Sequence, residues 1–279
     1  MTMIERTGYA VLKRTVGSKV ADRASFLYRD RVQPGMEAVT YGIDRRGRQS
    51  RNRLEALRDR YAGERCFIIG NGPSLNRMDL SVLRNEKTFA LNRGYLLFER
   101  IGAPTTFLVA VNRYVVEQFG DELHAAETTR FVSWRSRRWV SDGTDAIFVR
   151  RGRLYSFSTD VAARGAWEGA TVTYVALQLA YHLGFTEVIL IGVDHSFGTS
   201  GPANKLVTAS EPDSSHFDPS YFGPGIKWQL PDLETSEVAY GLARHQYEAA
   251  GRSIVDATIG GRLKVFPKAN LVELGLASN

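Results

Sequence analysis

Arg65-Cys66-Phe67-Ile68-Ile69-Gly70-Asn71-Gly72-Pro73-Ser74-Leu75 decides the fold. A short apolar run enters a glycine-rich turn, the pattern of a strand buried on both faces. Such a strand belongs to a parallel sheet with helices above and below it. The pattern recurs at Thr88-Phe89-Ala90-Leu91, at Thr106-Phe107-Leu108-Val109-Ala110-Val111 and at Thr129-Arg130-Phe131-Val132-Ser133-Trp134. Tyr95, Leu96, Phe98 and Glu99 fit a short helix between the first two of these. Thr171 to Leu183 carries Val172, Val175, Ala176, Leu179, Ala180 and Leu183 on one helical stripe, and Gly184 supplies the stop. Glu187 to Asp194, directly after it, is the most apolar strand candidate. Residues 196–232, rich in Gly, Pro, Ser and Asp, read as a long lid-like loop. Glu234 to Ala250 reads as a second strong helix, and Ser253–Asp256 and Leu263–Phe266 read as short closing strands. The expected fold is α/β, a doubly wound, mostly parallel sheet with helices on both faces. Residues 1–62 are expected to form a basic helical leader, with a continuous helical pattern from about Ser50 to Tyr61, and residues 63–279 the catalytic domain.

The 279 residues are 43% hydrophobic and 24% charged, which excludes a collagen-like, low-complexity or wholly disordered chain. The single cysteine, Cys66, has no partner for an internal disulfide. No apolar run approaches the ~20 residues of a membrane-spanning helix, and the N-terminus lacks a secretory pattern, so a cytoplasmic location is expected. Charge is unevenly placed: residues 1–60 hold 14 Lys and Arg against 7 Asp and Glu, while the rest hold 22 against 23. The densest stretch, Arg45 to Arg53, has two readings. One is attraction to an anionic membrane, at the inner membrane face, or to a polyanionic acceptor; the other is a solvated segment without a specific partner. Nucleic acid is not expected, because no aromatics interleave the basic run and no zinc, helix-turn-helix or RNP pattern accompanies it. Nothing in the sequence fixes an oligomeric state.

In an open parallel sheet, ligands bind beyond the carboxyl ends of the strands. The residues in that place are Gly70-Asn71-Gly72, Asn92, Asn112 and Asp194-His195. Gly70-Asn71-Gly72-Pro73-Ser74 permits a tight turn whose amides can cradle phosphate, and equally an ordinary strand-to-helix turn. It is not a Walker A loop, since Lys and Ser/Thr are missing at the required offsets, and not GxGxxG, since position 75 is Leu. Asn92 and Asn112 can read a sugar hydroxyl or a base edge without repelling phosphate; Asn is also a common turn former. Gly169-Ala170-Thr171 opens the strong helix, so Thr171 can cap it or meet an anion. His216 is a candidate general base and Asp194 a candidate for holding a metal, a ribose or a histidine, with His195 a lesser catalytic candidate. Tyr221, in Tyr221-Phe222-Gly223-Pro224-Gly225-Ile226-Lys227-Trp228, belongs to a segment that either closes over a ligand, with Gly223 and Gly225 as hinges, or is a static loop pinned by Trp228. No zinc-ligand spacing, DxD pair or GxSxG motif occurs, so no metal is expected.

GNGPSL at 70–75, Asn92, Gly169-Ala170-Thr171, LGFTEVILIGVDHSF at 183–197, SHFDPSYFGPG at 215–225 and VDATIGGRLKVFP at 255–267 together resemble the bacterial DUF115 or MptE-like group. The resemblance covers about residues 64–268. That group is similar in layout to the bacterial sialyltransferases of glycosyltransferase family 42, which implies a Rossmann-like, GT-A-like sheet. It also implies a metal-independent transfer of a nonulosonic acid from a CMP-linked donor to a glycan acceptor, in assembly of a surface polysaccharide or other glycoconjugate. On that resemblance Asn71 and Gly72 meet the phosphate, Asn92 and Asn112 the cytidine and sugar, and Thr171 the substrate. Gly169-Ala170-Thr171 stands where the sialyltransferases have Thr-Ser-Gly, and His216 lies in an SHF stretch where they have SHY-like sequence. The MptE branch implies instead an ATP- and Mg²⁺-dependent pterin diphosphokinase, with Asp194 toward the metal. A third reading is a nucleotide-binding module without catalysis.

Overall fold

The computed structural model describes residues 23–24, 26–141, 146–196, 198 and 201–275; the first 22 residues of the expected leader lie outside them. Seven parallel strands form one sheet: β1 (Arg65–Ile69), β2 (Thr88–Leu91), β3 (Phe107–Ala110), β4 (Thr129–Ser133), β5 (Ala146–Val149), β6 (Glu187–Ile191) and β9 (Ser253–Asp256). They lie in the order β5-β4-β3-β2-β1-β6-β9, all pairs parallel. β7 (Leu206–Thr208) and β8 (Lys227–Gln229) form a separate antiparallel hairpin inside the irregular segment.

The order follows from the apolar runs. In β1, Cys66 and Ile68 face one core, and Phe67 and Ile69 the other. All four are fully buried, so an unbroken apolar run is what this strand requires. Helices α2 (Arg45–Leu57), α6 (Val172–His182) and α7 (Leu233–Ala249) contribute to the first core. The second is closed by α4 (Arg113–Ala125), by the turns at Pro73–Arg77 and Leu80–Leu83, and by α3 (Phe98–Ile101). Helix α1 (Gln33–Ile43) precedes α2, and a single turn, α5 (Val161–Arg164), precedes α6.

Sequence and structure differ in four places. Leu263–Phe266 is not a strand; an isolated bridge between Asp256 and Lys268 takes its place, fixed by a 2.5 Å ion pair between them. β5 was not anticipated. The helix at the basic stretch begins at Arg45, where the Asp44 side chain accepts from the Arg46 amide, and not near Ser50. Finally, the part of the leader that is described belongs to the body. Leu54 is fully buried in the first core. Tyr41 donates its hydroxyl to the Phe148 carbonyl at 2.9 Å, and Ser50 Oγ accepts from the Phe148 amide at 2.9 Å. β5 ends the sheet, so these two side chains satisfy backbone groups that an edge strand would otherwise leave open.

Candidate functional site

The strand order reverses between β1 and β6, which places a crevice outside their carboxyl ends. A cleft of about 1030 Å³ opens there. Of the expected site residues, Gly70, Asn71, Gly72, Asn92, Asn112, Gly169, Ala170, Thr171, Asp194, His195, His216 and Tyr221 all line it. Pro73 and Ser74 stand behind its wall.

The loops after β1 and β6 pack backbone against backbone. A Cβ on Gly72 would lie 1.8 Å from Asp194 Oδ2, so only glycine admits this approach. The Asp194 carboxylate accepts from the Ser74 amide at 3.1 Å and from the Ser74 hydroxyl at 2.5 Å. It therefore ties the two loops together. The Gly72 amide donates to the Gly192 carbonyl at 2.8 Å and the Gly70 amide to Ile191 at 2.7 Å. This corrects the expected phosphate cradle at Gly72, whose donor is already committed within the protein.

Asn71 donates its side-chain amide to the Leu91 carbonyl at 3.1 Å. Asn92 has left-handed backbone, φ 51°, as Asn tolerates. The side-chain oxygens of Asn71 and Asn92, two residues that line the cleft, are both buried without a hydrogen-bond partner. Asn112 caps α4, its oxygen accepting from the Tyr114 amide at 2.9 Å. That capping explains why Asn ends this strand.

The opposite wall is the start of α6. Gly169 and Ala170 both adopt left-handed backbone, with φ 53° and 59°. Thr171 Oγ1 accepts from the Thr173 amide at 3.3 Å and lies 3.3 Å from the Tyr240 hydroxyl. The positive end of an eleven-residue helix thus faces the cleft. Gln178, fully buried in α6, accepts from the Ser158 and Trp167 amides and so holds the segment that leads into this turn.

Asp213 and His216 make the chemically distinctive pair. His216 Nδ1 and Asp213 Oδ2 are 2.7 Å apart, and Asp213 also accepts from the Ser215 and Phe222 amides. Burial alone would raise the Asp213 carboxyl, but His216 and those two amides outweigh it and hold it below the usual carboxylate range. The imidazole stacks on Tyr221 at 4.2 Å between centroids. With Nδ1–H donating to Asp213, the lone pair lies on Nε2. His195 is differently employed: its Nε2 is 2.9 Å from the Glu237 carboxylate of α7.

The expected lid is two things. Phe217, Tyr221 and Phe222 are buried in the second core. Arg93, itself only 6% exposed, donates to the carbonyls of Ser220 and Tyr221 at 2.7 and 2.6 Å and stacks over Phe119. Arg93 thereby ties residues 220 and 221 to the second core. The β7–β8 hairpin is the more exposed remainder. Asp213 and Arg93 escaped sequence reading. The available signal for Asp213 was its three-residue spacing from His216; none marked Arg93, whose partners lie far along the chain.

The Asp194 carboxylate is engaged by Ser74, and no group of three His, Cys, Asp or Glu side chains able to hold a metal occurs among the described residues.

No family model matches the chain, so the DUF115 resemblance rests on its motifs, and no curated protein matches it. Among solved structures, the chain is similar to the MAf glycosyltransferase from Magnetospirillum magneticum AMB-1, at 16% identity and a TM-score of 0.48. The match covers 80% of this chain and spans 38% of the length of that one.

Proposed function

We propose that the protein is a glycosyltransferase-like enzyme that transfers a sugar from a CMP-linked donor, of the nonulosonic-acid class, to a hydroxyl of a glycan acceptor. The observation that carries this reading is His216, paired with Asp213, lining a cleft whose other wall is a helix N-terminus. In the reaction, the acceptor oxygen forms a bond to the anomeric carbon as the bond from that carbon to the phosphate oxygen breaks. His216 Nε2 takes the acceptor's proton, and Asp213 steadies the resulting imidazolium. The departing phosphate gains negative charge, which the positive end of α6 at Gly169-Ala170-Thr171 stabilises. Asn71 and Asn92, with unpaired acceptor oxygens, are suited to donors on the base or sugar. Asn112 lines the same cleft but its oxygen serves the helix cap.

The test is CMP release from CMP-linked nonulosonic acids with candidate glycans. The wild-type chain is expected to release CMP, His216→Ala to be slower by roughly 10²–10⁴-fold, and Asp213→Asn to lose turnover while still binding cytidine monophosphate. Cytidylate binding without turnover by the wild type would favour the non-catalytic module. AMP formation from ATP and hydroxymethyldihydropterin would favour the diphosphokinase. Either result overturns the reading.

A further inference from the structure

The helical segment from Phe26 to Ile43 carries an apolar stripe that the described chain leaves uncovered. Val32, Met36, Val39 and Ile43 follow steps of four, three and four residues, one face of a helix, and their exposure rises from 46% at Val32 to 71% at Ile43. Phe26, Leu27 and Tyr28 continue it toward the N-terminus, also exposed.

Charge along this segment is sorted. Arg31, with 73% of its side chain exposed, adjoins Val32. At the other end, the Arg48 guanidinium donates to the Ile43 carbonyl. Arg45 and Arg51 are exposed on α2. The carboxylates of the same stretch are drawn away. Asp30 is buried near Arg31 and Arg153, Glu37 pairs with Arg135 and Arg151, and Asp44 caps α2. From Phe26 to Leu54, none of these three carboxylates is exposed while four arginines are.

We propose that residues 26–51 are a docking surface for an anionic lipid bilayer. The apolar stripe enters the boundary between headgroups and acyl chains, and the flanking arginines meet the lipid phosphates. Charge complementarity selects this occupant. A second copy of the same face would set arginine against arginine with no outward carboxylate to receive it. No helix of the described residues is long and apolar enough to cross a membrane. Phe26, Tyr28 and Met36 also line the cleft, so docking brings its mouth to the headgroups.

The surface shares Phe26, Tyr28 and Met36 with the cleft, but its test needs no sugar donor and stands whatever the cleft does. The full chain is floated with vesicles of phosphatidylcholine, with and without about one third phosphatidylglycerol. Binding is expected to the phosphatidylglycerol vesicles, to fade as salt rises from roughly 0.05 to 0.5 M, and to weaken at least about tenfold in the double variant Val39→Glu, Ile43→Glu. Both side chains point outward, so circular dichroism of the variant should match the parent. Equal binding by parent and double variant, binding indifferent to phosphatidylglycerol, or no binding overturns the proposal. So does a lipid-free dimer that the double variant converts to monomer, which would assign the stripe to a second copy.

Discussion

Asp194 shows how one side chain can look catalytic in sequence and be architectural in space. It follows the most apolar strand, at the rim of the cleft, yet both carboxylate oxygens are spent on Ser74. The glycine opposite it is equally constrained. Gly72→Ala would force the Asp194 carboxylate away from Ser74, and the expected cost is about 1–3 kcal/mol of overpacking, read as a lowered urea midpoint with unchanged slope. A variant as stable as the parent would contradict the packing. His216 was legible as a candidate because histidines are few and this one sits in a polar loop. Its partner was not, because an Asp in a Gly-, Pro- and Ser-rich stretch reads equally as a turn former. The Asn residues were legible in position and ambiguous in role: Asn112 resolves to a helix cap, whereas Asn92 keeps an unpaired oxygen.

At the scale of elements, the strands were legible wherever an apolar run carried both faces of a pleat, as β1 and β6 do. β5 is the exception: Ala146-Ile147-Phe148-Val149 is as long and as apolar as β2, yet it escaped sequence reading. The basic leader misled for a different reason: its arginines dominate the composition, while single residues on its inner side do the packing. Leu54 is the decisive one. Leu54→Ala is expected to destabilise the whole protein by about 2–5 kcal/mol, measured by equilibrium unfolding. A cost below about 0.5 kcal/mol, the range of surface substitutions, would mean that α2 is an appendage after all. Arg93→Leu should act locally, raising amide exchange in residues 213–222, because the carbonyls of Ser220 and Tyr221 lose their donor.

For the whole molecule, four carboxyls among the described residues are held below their ordinary range: Asp213 by His216 and two amides, Asp160 by the Ala163 amide and Arg58, and Glu168 by Arg135 and Arg151, all three against opposing burial, and the exposed Asp79 by the Ser81 hydroxyl and amide. Each binds fewer protons folded than unfolded near its own titration. Their stabilisation is therefore full above the ordinary carboxylate values, about 4, and is lost as the pH falls through the lower folded ones. The urea midpoint should fall steeply on acidification below about pH 4, and less steeply in Asp213→Asn. An unchanged acid limb in that variant would remove Asp213 from the account.

The central claim concerns the crevice between β1 and β6, lined by the α6 N-terminus and Asn92. A crystal soaked with cytidine monophosphate tests it most directly. The expected result is nucleotide density with the phosphate against Gly169-Ala170-Thr171 and His216 within reach of the sugar position. Nucleotide bound elsewhere on the molecule, or a crevice that stays without density at saturating ligand, would contradict it.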